Sequence, residues 1–241
     1  MKRIAYELMA ELEDSYWWYR ARRRILCGLI TRLVPRGSDV IDFGAGTGGT
    51  ASTLTQSGYR VVATDLSEAA LEACRIRGLR TVDLKRERLR EESADCVLAG
   101  DVLEHVRDDV ALLISLRRAL RPRGVLIVTV PAYEFLWSGE DYVSEHIRRY
   151  TRVRLKRQLR LAGFNRIWCS YFNTLLFPLI VSVTLTKRLL FPREMYRSDV
   201  VPLHRWQNEI LYRLFALEGY MLRWLRFPAG ASLLAVATSS D

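Results

Sequence analysis

The sequence predicts an α/β protein built on a mostly parallel sheet, and three observations carry that expectation. Short apolar strands alternate with amphipathic helical stretches along most of the 241 residues. Two inner strands, Ser93 to Gly100 and Val125 to Val130, are apolar almost throughout, as strands covered on both faces are. Third, Val40-Ile41-Asp42-Phe43 runs into four glycines between Gly44 and Gly49, and Thr50 to Gln56 then reads as helix. A strand, a tight glycine turn and a helix make a nucleotide-binding corner, where the backbone approaches a ligand and the helix start offers free N–H groups.

The length suits one large α/β domain with an added lobe. Hydrophobic residues make up 49%, which excludes a disordered chain. Lys plus Arg number 37 against 27 for Asp plus Glu, a net charge of +10. That charge admits an acidic partner such as nucleic acid, an anionic membrane or a phosphorylated substrate. The basic residues are scattered through helices, so a generally basic, solvated surface explains them equally well. Cys27, Cys74, Cys96 and Cys169 lie far apart with no CxxC pair, so no zinc site, other metal cluster or disulfide framework is expected. The N-terminus lacks an apolar signal segment, and the expected location is the cytoplasm.

Taken in order, residues 1–35 read as helix. Ile4, Leu8 and Leu12, then Ile25, Leu26, Leu29, Ile30 and Leu33, recur at helical spacing around Tyr16-Trp17-Trp18-Tyr19-Arg20. Pro35 to Ser38 is a turn, Asp39 to Phe43 the first strand, and Tyr59 to Thr64 the second, ending at Asp65. Ser67 is a natural N-cap for a helix to about Arg77. Leu79 to Val82 is the third strand and Ser93 to Gly100 the fourth. Asp108 to Leu120 is a helix ended by Arg121-Pro122-Arg123-Gly124, and Val125 to Val130 is the fifth strand. Thr151 caps a basic helix to Ala162, Phe164 to Phe172 is the sixth strand, and Ala231 to Thr238 the seventh.

Residues 173–230 form an insertion before that last strand. No residue from Ile167 to Thr186 is charged, but Ser170, Asn173, Thr174, Pro178 and Ser182 interrupt the run, so a membrane span is not expected. A second amphipathic helix is expected over Leu203 to Phe227. The insertion roofs the substrate pocket, forms a homodimer face, or lies on a membrane surface with Lys187, Arg188, Arg193 and Arg223 toward lipid phosphates.

The glycine corner has more than one reading. Gly44-x-Gly46-x-x-Gly49 with Asp65 downstream fits a dinucleotide fingerprint. Asp42 points elsewhere, because a carboxylate two residues before the first glycine repels phosphate and suits a cationic ligand. S-adenosylmethionine (SAM) is such a ligand. An NAD-dependent or non-catalytic Rossmann-like protein stays open as the alternative.

Asp42-x-Gly44-x-Gly46-x-Gly48 resembles the first motif of class I SAM-dependent methyltransferases, and Leu103-Glu104-His105-Val106 is similar to the segment after their fourth strand. A bacterial small-molecule subset is also similar at Pro131 to Trp137, His146-Ile147-Arg148-Arg149-Tyr150-Thr151, and Tyr171 to Pro178. The resemblance implies a Rossmann-like sheet of seven strands in the order 3-2-1-4-5-7-6, the last antiparallel, with helices on both faces. It implies an N-terminal helical cap over 1–35, a core over 36–172 and 231–241, and the helical insertion over 173–230. SAM would be held by Asp42, Gly44, Gly46, Gly48, Asp65, Leu66, Asp83, Leu84 and Asp101. The stretch Lys85 to Arg90 is more basic than the family's apolar-acidic pattern there, which loosens the register at Asp83.

The same resemblance nominates Trp18, Tyr19 and Arg22 to touch substrate or the methionine carboxylate, and Tyr133 and Trp137 to wall the pocket. His146 is the candidate base or substrate anchor, and Arg148 or Arg149 would pair with an acidic group. His105 is a second candidate base, the alternative being that it orients the following helix. The implied reaction moves a methyl group from SAM to an O, N or C nucleophile of a small molecule, such as a natural product, sugar or lipid-linked intermediate, leaving S-adenosylhomocysteine. A nucleic-acid acceptor is the competing reading, and the absence of an Asn/Asp-Pro-Pro-Tyr motif speaks against it.

Overall fold

The computed structural model of the chain describes residues 3–192, 196, 198–200 and 203–238. Arg193, placed above among residues facing lipid, lies outside them. Seven strands form one sheet in the order β3-β2-β1-β4-β5-β7-β6. They are β1 (Asp39–Phe43), β2 (Arg60–Asp65), β3 (Arg80–Asp83), β4 (Ala94–Gly100), β5 (Leu120–Pro131), β6 (Arg166–Phe172) and β7 (Ser232–Thr238). The pairs β1–β2, β1–β4, β2–β3 and β4–β5 are parallel, and β7 runs antiparallel to both β5 and β6. Val97, Leu98, Leu126, Ile127 and Val128 are buried, which is why these strands read as continuous apolar runs.

Helices fill most connections, α3 (Gly49–Gln56), α4 (Glu68–Ile76), α5 (Asp109–Ala119) and α7 (Arg152–Leu161), with a short α6 (Gly139–Val143) in the loop after β5, while β3 reaches β4 through a loop. Their starts follow from their caps. Asp108 accepts from Ala111 N–H at 2.9 Å, and Thr151 from Arg154 N–H at 3.3 Å. The four cysteines are buried, unpaired thiols.

The helix expected over 1–35 is, among the described residues, two helices rather than one, α1 (Arg3–Leu12) and α2 (Trp17–Leu33). The break at Asp14-Ser15 has a physical reason. These residues hydrogen-bond more readily in turns than in helix interiors, and the chain closes here through Tyr16 N–H to Leu12 C=O at 2.8 Å. α2 buries Ala21, Ile25, Leu26 and Ile30 in the core.

The insertion carries α8 (Phe177–Leu190) and α9 (Arg205–Met221). α9 stops before the expected Phe227 because the chain folds back there. Phe227 forms an antiparallel bridge to Tyr171, and its N–H donates to Ser170 Oγ at 2.9 Å. α9 lies along α2: Trp17 meets Phe215 edge-on at 6.0 Å, and Asn208 Oδ1 accepts the Trp17 N–H at 2.8 Å. Arg24 donates to the hydroxyls of Tyr212 and Tyr220. α8 is different. Thr184 is its one buried residue, while Leu179, Val183, Leu185, Leu189 and Leu190 are exposed. Among the described residues no helix is long and apolar enough to cross a membrane.

Candidate active site

Neighbouring strands end side by side at the carboxyl edge of the sheet, and each end carries an aspartate: Asp42 on β1, Asp65 on β2, Asp83 on β3, and Asp101 just past β4. Register fixes this row. Asp65 stands opposite Asp83, and Phe43, next to Asp42, stands opposite Thr64 and Ala99. Ligands in open α/β sheets bind at this edge.

The glycine loop leaves β1 through Gly44, whose N–H donates to Thr64 C=O at 2.8 Å. Gly44, Gly46 and Gly48 take φ of +72°, +55° and +84°, a region costly for residues with a Cβ. Space is as restrictive as conformation. A Cβ on Gly44 would lie 2.6 Å from Val102 Cγ2, and one on Gly48 2.8 Å from Leu79 Cδ1.

Asp42 is buried beneath this loop, and its Oδ2 has no hydrogen-bond partner. Burial pushes its pKa up to about 7, with Arg22 opposing and Glu13 and Asp65 adding to the rise. A buried carboxylate oxygen without a donor fits an ammonium group and not a phosphate. The charge of the site therefore suits a cationic ligand such as SAM. Asp65 Oδ2 accepts the Gly46 N–H at 3.1 Å, and Oδ1 accepts the Ser67 N–H at 2.8 Å and the Tyr6 hydroxyl at 3.4 Å. Burial raises the Asp65 pKa, and the backbone N–H groups hold the rise down.

Asp83 turns to its own loop, accepting the Lys85 N–H at 2.9 Å and pairing with Arg86 at 3.3 Å. The basic stretch that departs from the family pattern thus folds onto Asp83. Leu84 is half-buried beside it, its N–H on Asp65 C=O at 3.2 Å, while Leu66 is exposed.

Arg22 and Asp101 come together at 2.7 Å, with Thr129 Oγ1 bonded to each at 3.1 Å. The guanidinium lies over the Trp18 ring at 5.3 Å and occupies the space a Cβ on Gly100 would need. Tyr19 meets Trp18 edge-on at 5.1 Å.

Three residues that were not anticipated close this half from above. Tyr6 and Met9 lie on one face of α1, and Glu13 follows its last residue. Glu13 Oε1 accepts the Gly49 N–H at 2.9 Å, its Oε2 accepts the Thr47 hydroxyl at 2.6 Å, and Arg77 pairs with it at 3.0 Å. A Cβ on Gly46 would meet Met9 Sδ at 3.0 Å. The spacing 6, 9, 13 is the one signal in the sequence that places them together.

The residues expected to meet the acceptor lie beyond β5. Tyr133 holds φ at +56°, and its ring stacks on Tyr171 at 5.0 Å, on Phe135 at 5.3 Å, and meets Phe177 at 5.8 Å. Trp137 meets Tyr142 edge-on at 6.1 Å, and Arg188 of α8 donates to its carbonyl at 3.0 Å. Arg148 and Arg149 are both engaged inside the protein. Arg148 pairs with Asp109 at 3.2 Å, and Arg149 binds Asp141 through Nε at 2.9 Å and a second nitrogen at 2.7 Å. Neither guanidinium is turned to an acceptor.

Glu104, His105 and His146 converge below these loops. His146 Nδ1 meets Asp141 Oδ1 at 2.8 Å, and its Nε2 stands 3.9 Å from Glu104 Oε1. The two histidine rings are 4.7 Å apart and nearly perpendicular. Burial and the neighbouring His146 push the His105 pKa down to about 4, so its ring is neutral near pH 7 and is a weak proton acceptor. Arg149 and His146 hold Asp141 down to about 2 against the effect of its burial. Glu104 is fully buried, and its pKa is raised by desolvation, with the nearby Asp101 adding to it. Glu104, His105 and His146 are also a group of described residues whose chemistry suits a metal ion, their ligand atoms all lying within 4.8 Å of one another. Glu104 lay inside the Leu-Glu-His-Val segment, but nothing in that tetrapeptide reveals that His146 reaches it from 42 positions away.

Comparison with known proteins agrees with this geometry. A family described as a methyltransferase domain matches residues 17–168. A probable S-adenosylmethionine-dependent methyltransferase of Mycolicibacterium smegmatis is 30% identical over 160 residues, covering 64% of this chain and 61% of that protein. A ubiquinone biosynthesis O-methyltransferase of Hahella chejuensis is 30% identical over 129 residues, covering 48% of this chain and 54% of its own length. The matches thus span between half and two thirds of these relatives. Among solved structures, a chain of the Haloferax volcanii complex between the Trm112 methyltransferase activator and a putative methyltransferase superposes with TM-score 0.63. It is 18% identical and covers 98% of this chain and 95% of that one. The Burkholderia thailandensis 1,6-didemethyltoxoflavin-N1-methyltransferase, solved with S-adenosylhomocysteine, gives TM-score 0.57 at 18% identity, covering 99% of this chain and 87% of that one.

Proposed function

The chain belongs to the class I SAM-dependent methyltransferases, and from that premise we propose that it methylates a hydroxyl oxygen on an apolar, ring-bearing small molecule. The observation that carries this reading is the group formed by Glu104, His105 and His146, fixed from behind by Asp141. Bound SAM supplies a methyl group on a sulfonium, whose transfer leaves S-adenosylhomocysteine. Alignment and desolvation do most of the rest, so a neutral amine would need no proton-handling group. A hydroxyl would, because its proton must leave as the oxygen attacks.

The residues divide the work. Asp42 and the glycine loop orient the cofactor's cationic end, while Asp65 serves the ribose and Asp83 and Leu84 the adenine. Arg22 is held by Asp101 at the floor between the two halves. Tyr133, Phe135, Tyr171 and Phe177 form the aromatic wall that favours a flat, apolar acceptor. The O-methylating relative from Hahella chejuensis supports the choice of oxygen.

The test is a panel of phenols, catechols, aryl amines and thiols incubated with methyl-labelled SAM. Label on phenolic or catecholic oxygen supports the reading. Label confined to nitrogen or sulfur, with the hydroxyl compounds inert, overturns it.

A further inference from the structure

We infer that Glu104, His105 and His146 bind one divalent transition-metal cation, of the zinc, manganese or iron kind. The argument begins with what these groups lack. Glu104 is fully buried, and neither of its carboxylate oxygens has a hydrogen-bond partner. The other buried glutamates have at least one oxygen served: Glu218 Oε1 takes the Thr174 and Leu175 N–H groups at 2.7 Å each, though its Oε2 has no partner, and Glu13 takes the Gly49 N–H and the Thr47 hydroxyl.

What faces Glu104 is a set of further acceptors. His146 spends Nδ1 on Asp141 at 2.8 Å, which leaves the Nε2 lone pair toward Glu104 Oε1 at 3.9 Å. His105 bonds through its ring to the Glu145 backbone, which leaves its other nitrogen as an acceptor too. The neighbouring guanidiniums do not serve Glu104. Arg22 is paired with Asp101 at 2.7 Å, and Arg149 grips Asp141 at 2.7 Å. Three groups that each present a lone pair, their ligand atoms within 4.8 Å of one another, make an arrangement that a bound cation would satisfy.

The ligand set narrows the cation. Two imidazoles and one carboxylate suit zinc, manganese or iron rather than calcium or magnesium, which prefer oxygen alone. Asp141 completes the arrangement, since a ligating histidine commonly donates its second ring N–H to a carboxylate that fixes its orientation. Three protein ligands leave coordination positions open on the acceptor side. The use of the site rests on the O-methylation reading: a cation there lowers the pKa of a hydroxyl it meets, so the proton passes to water before the oxygen attacks.

The binding is tested without cofactor or acceptor, so its outcome is separate from the fate of that reading. Chelator-treated full-length protein is titrated with Co²⁺, following visible absorption, and then with Zn²⁺ in competition with a colorimetric chelator. The expected result is one equivalent bound, with Co²⁺ bands of a low-coordinate nitrogen–oxygen site. Glu104→Gln and His146→Asn each weaken binding at least tenfold, while SAM affinity measured in parallel stays within about threefold and confirms the fold. Absence of stoichiometric Co²⁺ or Zn²⁺ binding by the wild-type protein overturns the inference. So does binding that both variants retain undiminished.

Discussion

The two halves of this carboxyl edge are built by different means. On the glycine-loop side, backbone does most of the work: a loop with three left-handed glycines, N–H groups on Asp65, and Asp65 set opposite Asp83 by strand register. On the acceptor side, side chains do it. Tyr133 is held among rings from β6 and α8, and His146 is oriented by Asp141, itself clamped by Arg149. A backbone site tolerates little change at its glycines, whereas a side-chain site on long loops is free to alter its ligand while the sheet stays the same. The halves should therefore fail differently when mutated.

Gly44→Val is the severest way to break the cofactor half. It places a branched side chain at φ +72° where even a Cβ would lie 2.6 Å from Val102. SAM affinity by calorimetry should fall about 100-fold or more, with the melting temperature as a control for folding. His146→Ala should do the converse, lowering kcat by about 100-fold or more while the SAM dissociation constant stays within about threefold. Parallel loss of both quantities in either variant would show that the halves are not separable.

A pH titration sharpens the contrast further. Asp42 rises from its ordinary 3.8 to about 7 in the fold, facing Arg22, Glu13 and Asp65. In the folded state it holds a proton over a range where the unfolded chain has lost it, so its contribution to stability falls as pH rises from about 4 to 7. A cationic ligand favours the ionised form. SAM affinity should then climb by up to about tenfold per pH unit between pH 5 and 7 and level off above. Asp42→Asn should flatten that slope. The smallest effect is expected from Tyr6→Phe, which removes the 3.4 Å hydroxyl contact on Asp65 Oδ1 and leaves the oxygen to the ribose. A gain in SAM affinity of no more than about threefold is expected.

The glycine loop was legible in the sequence because its demands are local. A loop that needs positive φ asks for glycine, and Gly44, Gly46 and Gly48 announce it at fixed spacing after an apolar strand. The strand order and the antiparallel β7 followed from the family resemblance and agree with the structure. Long-range contacts were not legible. Nothing near Glu13 says that it will reach Gly49, and nothing near Arg149 says that its partner is Asp141 rather than an acceptor. The break between α1 and α2 was hidden by the aromatic cluster, whose helical spacing on both sides masked the turn at Asp14-Ser15.

The contacts of α1 on the glycine loop bear on time as well as affinity. Tyr6, Met9 and Glu13 stand over Asp65 and the glycine loop, so a ligand held there is expected to leave faster when these contacts are loosened. Hydrogen bonds to charged groups are worth about 1.5–3 kcal/mol each, so their joint rupture is a slow event compared with loop fluctuation. If release of spent cofactor waits on these contacts, it is expected to set the pace of the catalytic cycle. That step would lengthen in viscous solvent and shorten in Glu13→Ala.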